Sequence, residues 1–120
     1  MEPERRTQLM IHSLVALTAL LTAADHWTTY ICLRAPVAGW QVLEANPIAE
    51  WLFTAVGLVP GILIDSVFTV GAIAFLLVTP LVPRAAKGCF FFVVAAWTGY
   101  AVVNNFQAIS VMGLSPLGLA

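Results

Sequence analysis

The sequence predicts an all-α integral membrane protein with three transmembrane helices and one short interfacial helix between spans one and two. Hydrophobic residues make up 61% of the 120-residue chain and charged residues only 9%. Mean hydropathy is +0.94, outside the balance of a soluble domain. The apolar residues gather into three runs, each about twenty residues or longer, the length a helix needs to cross hydrocarbon. Little chain is left over, so residues 1–120 read as a single transmembrane domain.

The first run extends from about Leu9 to Leu33. Its leading segment, with Arg5 and Arg6 ahead of the apolar stretch, has the outline of a secretory signal, but "TAAD" is a poor cleavage site and the segment is expected to remain as a helix. Asn46 before Pro47 has the form of an N-cap followed by proline at the first helical position, which predicts a short helix over about 47–58. Gly57, Pro60 and Gly61 mark a break before the second run, from about Pro60 to Val82. A continuous helix from Pro47 to Val82 would measure roughly 54 Å at 1.5 Å per residue, longer than a bilayer requires. Trp40 and Trp51 suit the headgroup depth that such aromatics prefer. The third run follows "PRAAK" and extends from about Gly88 to Val111.

Charge placement sets an orientation. Arg5, Arg6, Arg84 and Lys87 fall on one side of a three-span topology and only Arg34 on the other. Retention of positive charge in cytoplasmic loops then predicts a cytoplasmic N-terminus and an external C-terminus. The net charge of -1 and the lack of a basic run exclude nucleic acid as a partner class. Cys32 and Cys89 lie near opposite ends of their spans, about 30 Å apart, whereas a disulfide needs Cα atoms within about 7 Å.

Polar residues interrupt all three spans at similar depth. Asp25 lies roughly 12 Å inside the external end of span one, Asp65 roughly 8 Å inside span two, and Asn104 and Asn105 about 10 Å inside span three. Thr18, Thr22, Asp25, Thr29 and Cys32 recur at helical spacing and are expected to face protein. Span three offers two adjacent stripes, Trp97, Tyr100, Asn104 and Gln107, and Thr98, Ala101, Asn105 and Ala108. On span two, Asp65 and Thr69 share a face with Gly61 and Ala72. Trp27 and Tyr30 lie off the span-one stripe and are expected to meet lipid or a partner. Thr29 and Thr69 each follow a carboxylate by one turn, within reach of a hydrogen bond to it.

Ionised groups are costly at this depth and are by default functional-site candidates. Asp25 and Asp65 are therefore expected not to be both ionised unless a cation or His26 intervenes. The candidate ligand or proton site comprises Asp25, His26, Thr29, Glu44, Asn46, Asp65, Asn104 and Asn105, with no residue assigned as catalytic and any metal left open. His26 or His12 could hold a haem or a chlorophyll-type pigment, although a stacked bis-histidine arrangement needs matching histidines on a second helix. Ser66 lies beside Asp65, with no histidine at evident reach in the sequence, and no nucleophile elbow, Cys-x-x-Cys or His-Glu-x-x-His motif occurs.

The elements "DHWTTY", "EANP" and "VVNN" together resemble the pattern of a family of small prokaryotic polytopic membrane proteins, a domain of unknown function. The matching positions are Asp25, Thr28, Thr29, Glu44, Asn46, Pro47, Asn104 and Asn105, spread over most of the chain. The resemblance implies the multi-pass fold, a prokaryotic cytoplasmic membrane and a grouping of these residues, but no activity. Relatives in that pattern often carry a lysine in the second span where this chain has Asp65, which implies an acid-base pair turned into an acid-acid pair.

Two functions are expected from these features. One is a non-catalytic accessory or structural subunit of a larger membrane complex, with other membrane subunits or further copies of the chain as partners. The other is a membrane-embedded polar site handling a proton, cation or small lipid-like ligand through Asp25 and Asp65.

Overall fold

A computed structural model describes residues 2–34 and 37–118. It contains helices α1 (Pro3–Leu33), α2 (Pro47–Val56), α3 (Leu58–Val78) and α4 (Arg84–Val111). Three of them, α1, α3 and α4, are long and apolar enough to cross a membrane, and the short α2 lies between the first two. Each spanning helix starts ahead of its apolar run, α3 by two residues at Leu58. α1 begins at Pro3, which occupies the first helical turn where its missing N–H costs nothing. α4 begins at Arg84, after Pro83 in an extended conformation.

Proline also ends α3 earlier than the apolar run does. Thr79 precedes Pro80 and adopts φ -68°, ψ 133°, the extended state imposed by a following proline, so the helix stops at Val78 rather than Val82. Lys87 then turns inward from the first turn of α4. Its Nζ donates to Thr79 O (2.7 Å) and Leu77 O (3.4 Å), satisfying carbonyls that the end of α3 leaves open. Arg84 pairs with Glu4 at 2.7 Å, tying α4 to the start of α1 at the same end of the bundle.

α1 and α4 run parallel and make the main interface. On α1 the packed positions are Ile11, Leu14, Thr18, Leu21, Asp25, Thr28 and Cys32; on α4 they are Phe91, Ala95, Thr98, Val102, Asn105 and Ile109. Both sets alternate steps of three and four, the seam of a left-handed helix pair. The seam differs by one position from the stripe expected on α1. Thr18, Asp25 and Cys32 belong to both, but Thr28 and Leu21 take the places given to Thr29 and Thr22, because α4 approaches that shared column from the Leu21 and Thr28 side; both stripes have a seven-residue period. α3 touches α1 less extensively, along the half-buried Ile62, Ser66, Thr69, Ile73 and Leu76.

α2 starts where Asn46 Oδ1 accepts from Ile48 N (3.0 Å) and Ala49 N (3.4 Å). It ends at Gly57, whose φ of +94° reverses the chain into α3. The reversal lays Phe53 on Gly61, so closely that a Cβ at position 61 would sit 2.6 Å from the ring. Gly61→Ala should therefore destabilise the fold by about 1–3 kcal/mol, the range for overpacking, in reversible detergent unfolding. In a Phe53→Ala background the same change should cost much less.

Candidate functional site

Asp25 and His26 are neighbours on α1, so their side chains leave the helix about 100° apart and serve two different interfaces. Asp25 faces α4. There Asn105 Nδ2 donates to Asp25 Oδ1 (3.2 Å) and Thr28 Oγ1 (3.0 Å), with Thr29 Oγ1 at 3.4 Å. An amide has two N–H bonds, so the two shorter contacts use it fully. Thr28 is completely buried, and its hydroxyl donates to Ala24 O at 2.8 Å while accepting from Asn105. Above this group Ile31, Cys32, Ile109 and Met112 form an apolar cluster. The chain after α4 folds back over it, with Trp27 Nε1 donating to Pro116 O (2.8 Å) and Arg34 Nη2 to Gly118 O (3.4 Å).

His26 faces α3, where Asp65 and Ser66 clasp its ring from both sides. Nε2 lies 2.9 Å from Asp65 Oδ2, and Nδ1 lies 2.9 Å from Ser66 Oγ. Ser66 Oγ is also 2.8 Å from Ile62 O, one turn back on its own helix. The histidine side chain is 15% exposed and that of Asp65 is 44% exposed. The α1/α3 half of the layer is thus open at Asp65, whereas the α1/α4 half is sealed at Thr28, with Asp25, Thr29 and Asn105 half-buried.

The predicted residues divide accordingly. Asp25, Thr29 and Asn105 meet at one interface, and His26 and Asp65 at the other. Asp25 and Asp65 do not form an acid pair, because each has its own partner on a different side of α1. Asn104 is exposed on the outer side of α4; the inward amide is Asn105, and with it Thr98, Ala101 and Ala108, while Trp97, Tyr100 and Gln107 point away. Glu44 and Asn46 are occupied at the start of α2, where Glu44 Oε1 accepts from Asn46 N at 3.0 Å.

Ser66 corrects the sequence reading directly, since a histidine does lie within hydrogen-bond reach of it. Thr28 was visible only as half of a Thr-Thr pair. The hydroxyls expected to bond carboxylates do not: Thr69 Oγ1 donates to Asp65 O (2.8 Å), as Thr18 does to Leu14 O (2.8 Å). The carbonyl four residues back is held at bonding distance by the helix itself and outcompetes a flexible carboxylate. Trp27, expected to meet lipid or a partner, is 46% exposed, and its indole N–H also anchors the segment after α4. Both ring nitrogens of His26 are engaged, so an axial ligand would have to displace Asp65 or Ser66, and His12 is exposed beside Gln8 at 3.4 Å. Among the described residues no group of three or more His, Cys, Asp or Glu side chains is arranged to hold a metal ion.

Fold and site together define a multi-pass helical membrane protein with a polar layer inside its bundle. Compared with protein-family models, curated proteins and solved structures, the chain gives no match.

The α1/α4 half of the layer has a direct consequence for stability. Asn105→Leu removes the amide that reaches Asp25 and Thr28 from α4, and should cost about 0.6–1.7 kcal/mol, from the average to the maximum for an interhelical hydrogen bond in a membrane protein. Thr28→Val should cost more than Thr29→Val in the same reversible unfolding measurement, because only Thr28 is both fully buried and bonded in two directions.

Proposed function

We propose that the protein is a membrane-embedded acid-base site, in which His26 and Asp65 take up and return a proton in contact with a small ligand reaching Asp65 from the open side. The observation that carries this reading is the position of the Ser66 hydroxyl between two acceptors, His26 Nδ1 and Ile62 O. With His26 neutral, its Nε2–H donates to Asp65 and Ser66 donates to Nδ1. With His26 protonated, Nδ1–H donates to the Ser66 oxygen and the hydroxyl turns to Ile62 O. Both states leave every polar group paired, so the proton can come and go without the cost of an orphaned group in hydrocarbon. A purely structural polar contact needs only one such state.

In this site His26 is the group that gains and loses the proton, at Nδ1, Asp65 remains the carboxylate that holds the Nε2–H in both states and offers its open side to the ligand, and Ser66 is a positioning residue whose hydroxyl turns with the protonation of Nδ1. His26 supplies the basic partner that the family resemblance places on the second span as a lysine. That resemblance, and a prokaryotic cytoplasmic membrane with the N-terminus inside, are part of the same reading. The grouping of Arg5, Arg6, Arg84 and Lys87 at the end remote from the site supports that orientation, which sets the polar layer toward the outer surface.

A second reading, an accessory subunit in a larger membrane complex, is favoured by α3. Among its residues only Gly61 is buried, and Leu63, Val67, Phe68 and Phe75 are exposed, leaving most of the helix free to lie against lipid or a neighbouring subunit.

Solid-state ¹⁵N NMR of histidine-labelled protein in bilayers tests the acid-base reading. His26 is expected to pass on acidification from a neutral Nε2–H tautomer to the imidazolium, with the fold intact throughout. Asp65→Asn should erase the tautomer preference, since an amide can donate as well as accept. A single His26 protonation state over the whole range of stable folding would rule the reading out.

A further inference from the structure

The outer side of α4 carries a second seam with the same period as the one that packs on α1. Val93, Trp97, Tyr100, Asn104, Gln107 and Val111 follow steps of four, three, four, three and four. They are offset by two residues from Phe91, Ala95, Thr98, Val102, Asn105 and Ile109, which places the two seams about 200° apart on the helix. The inner seam is filled by α1. The outer one is bare along its whole length: Val93 is 62% exposed, Trp97 77%, Tyr100 73% and Val111 61%, and Asn104 and Gln107 are exposed too.

Lipid is a poor cover for this face. Asn104 lies seven residues before the end of α4, roughly 10 Å into the apolar segment, where a primary amide has nothing in the acyl chains to bond with. We infer that the outer seam of α4 pairs with the same seam of a second copy of this chain, forming a parallel two-fold dimer in the membrane.

The choice of a second copy follows from the chemistry of the polar residues on the seam. Two copies inserted in the same membrane with the same orientation place each residue at the depth of its counterpart, and a two-fold axis along the membrane normal brings like against like. An acid or a base meets its own charge in that arrangement. An amide is neutral and carries both donor and acceptor, so Asn104 can bond the second copy's identical amide, and Gln107 likewise. A lone polar residue within a heptad seam also fixes register and alignment. Trp97 and Tyr100, on the same seam, supply large contact area. Asn105 points the other way and is already used by Asp25 and Thr28, so pairing through the outer seam leaves the His26 site undisturbed.

Cysteine scanning in native membranes tests the interface. Single cysteines replacing Tyr100, Asn104 and Gln107 in a Cys32→Ala, Cys89→Ser background should cross-link to a second copy of the chain on mild oxidation, while Val103→Cys and Phe106→Cys on the flank should not. Asn104→Leu should raise the dimer dissociation constant in bilayers about 3- to 15-fold, the equivalent of one interhelical hydrogen bond, and leave the His26 NMR signals unchanged. Phe106→Leu should leave dimerisation unchanged. Cross-linking without the seam's period, cross-linking only to a different protein, or an unaltered dissociation constant in Asn104→Leu would each overturn the dimer.

Discussion

In hydrocarbon a polar side chain has no solvent to fall back on, and the arrangement of this bundle follows from that constraint at one residue pair. Asp25 and His26 sit side by side on α1 and must each find a partner on a different helix. Asn105 meets the first and Asp65 with Ser66 the second. Because a seven-residue repeat governs the α1/α4 contact, sliding either helix by one position would take Asn105 off Asp25 and Thr28 together. The polar layer therefore fixes register where apolar packing alone would tolerate several alternatives.

The two halves of that layer differ in rigidity for identifiable reasons. Between α1 and α4, a fully buried threonine, an apolar cluster and the returning chain held by Trp27 and Arg34 pack around the polar contacts and leave Asp25 and Asn105 half-buried. Between α1 and α3 there is no such cover. α3 rests on α1 along one edge, and its own connection is made short by the fold of α2 onto Gly61. An exposed carboxylate beside a shielded imidazole is the result.

α2 also accounts for the Glu-x-Asn-Pro element in physical terms. Asn46 caps the helix, Pro47 opens it at a position needing no N–H, and Glu44 accepts the Asn46 N–H. Its residues look like a binding motif when grouped with Asp25, but their hydrogen bonds are spent on starting a helix.

The sequence by itself determined the number of spans, the short helix and its capping residues, the break at Gly57, and the depth of the polar layer. Each of these depends on local chemistry or on length: apolar runs against bilayer thickness, asparagine before proline, rise per residue. The helix ends were legible to within about a turn, except at the start of α1, which begins at Pro3, six residues ahead of its apolar run, and at the end of α3, where Pro80 stopped the helix. Only the tertiary structure decided which polar groups meet. In a membrane helix both faces are apolar enough to be outside, so polarity could not rank the Asn104 face against the Asn105 face, nor Thr29 against Thr28. Spacing along one helix also says nothing about the angle at which another approaches. His26 between Asp65 and Ser66 depends on where α3 leans against α1, a matter of three-dimensional packing between residues about forty positions apart.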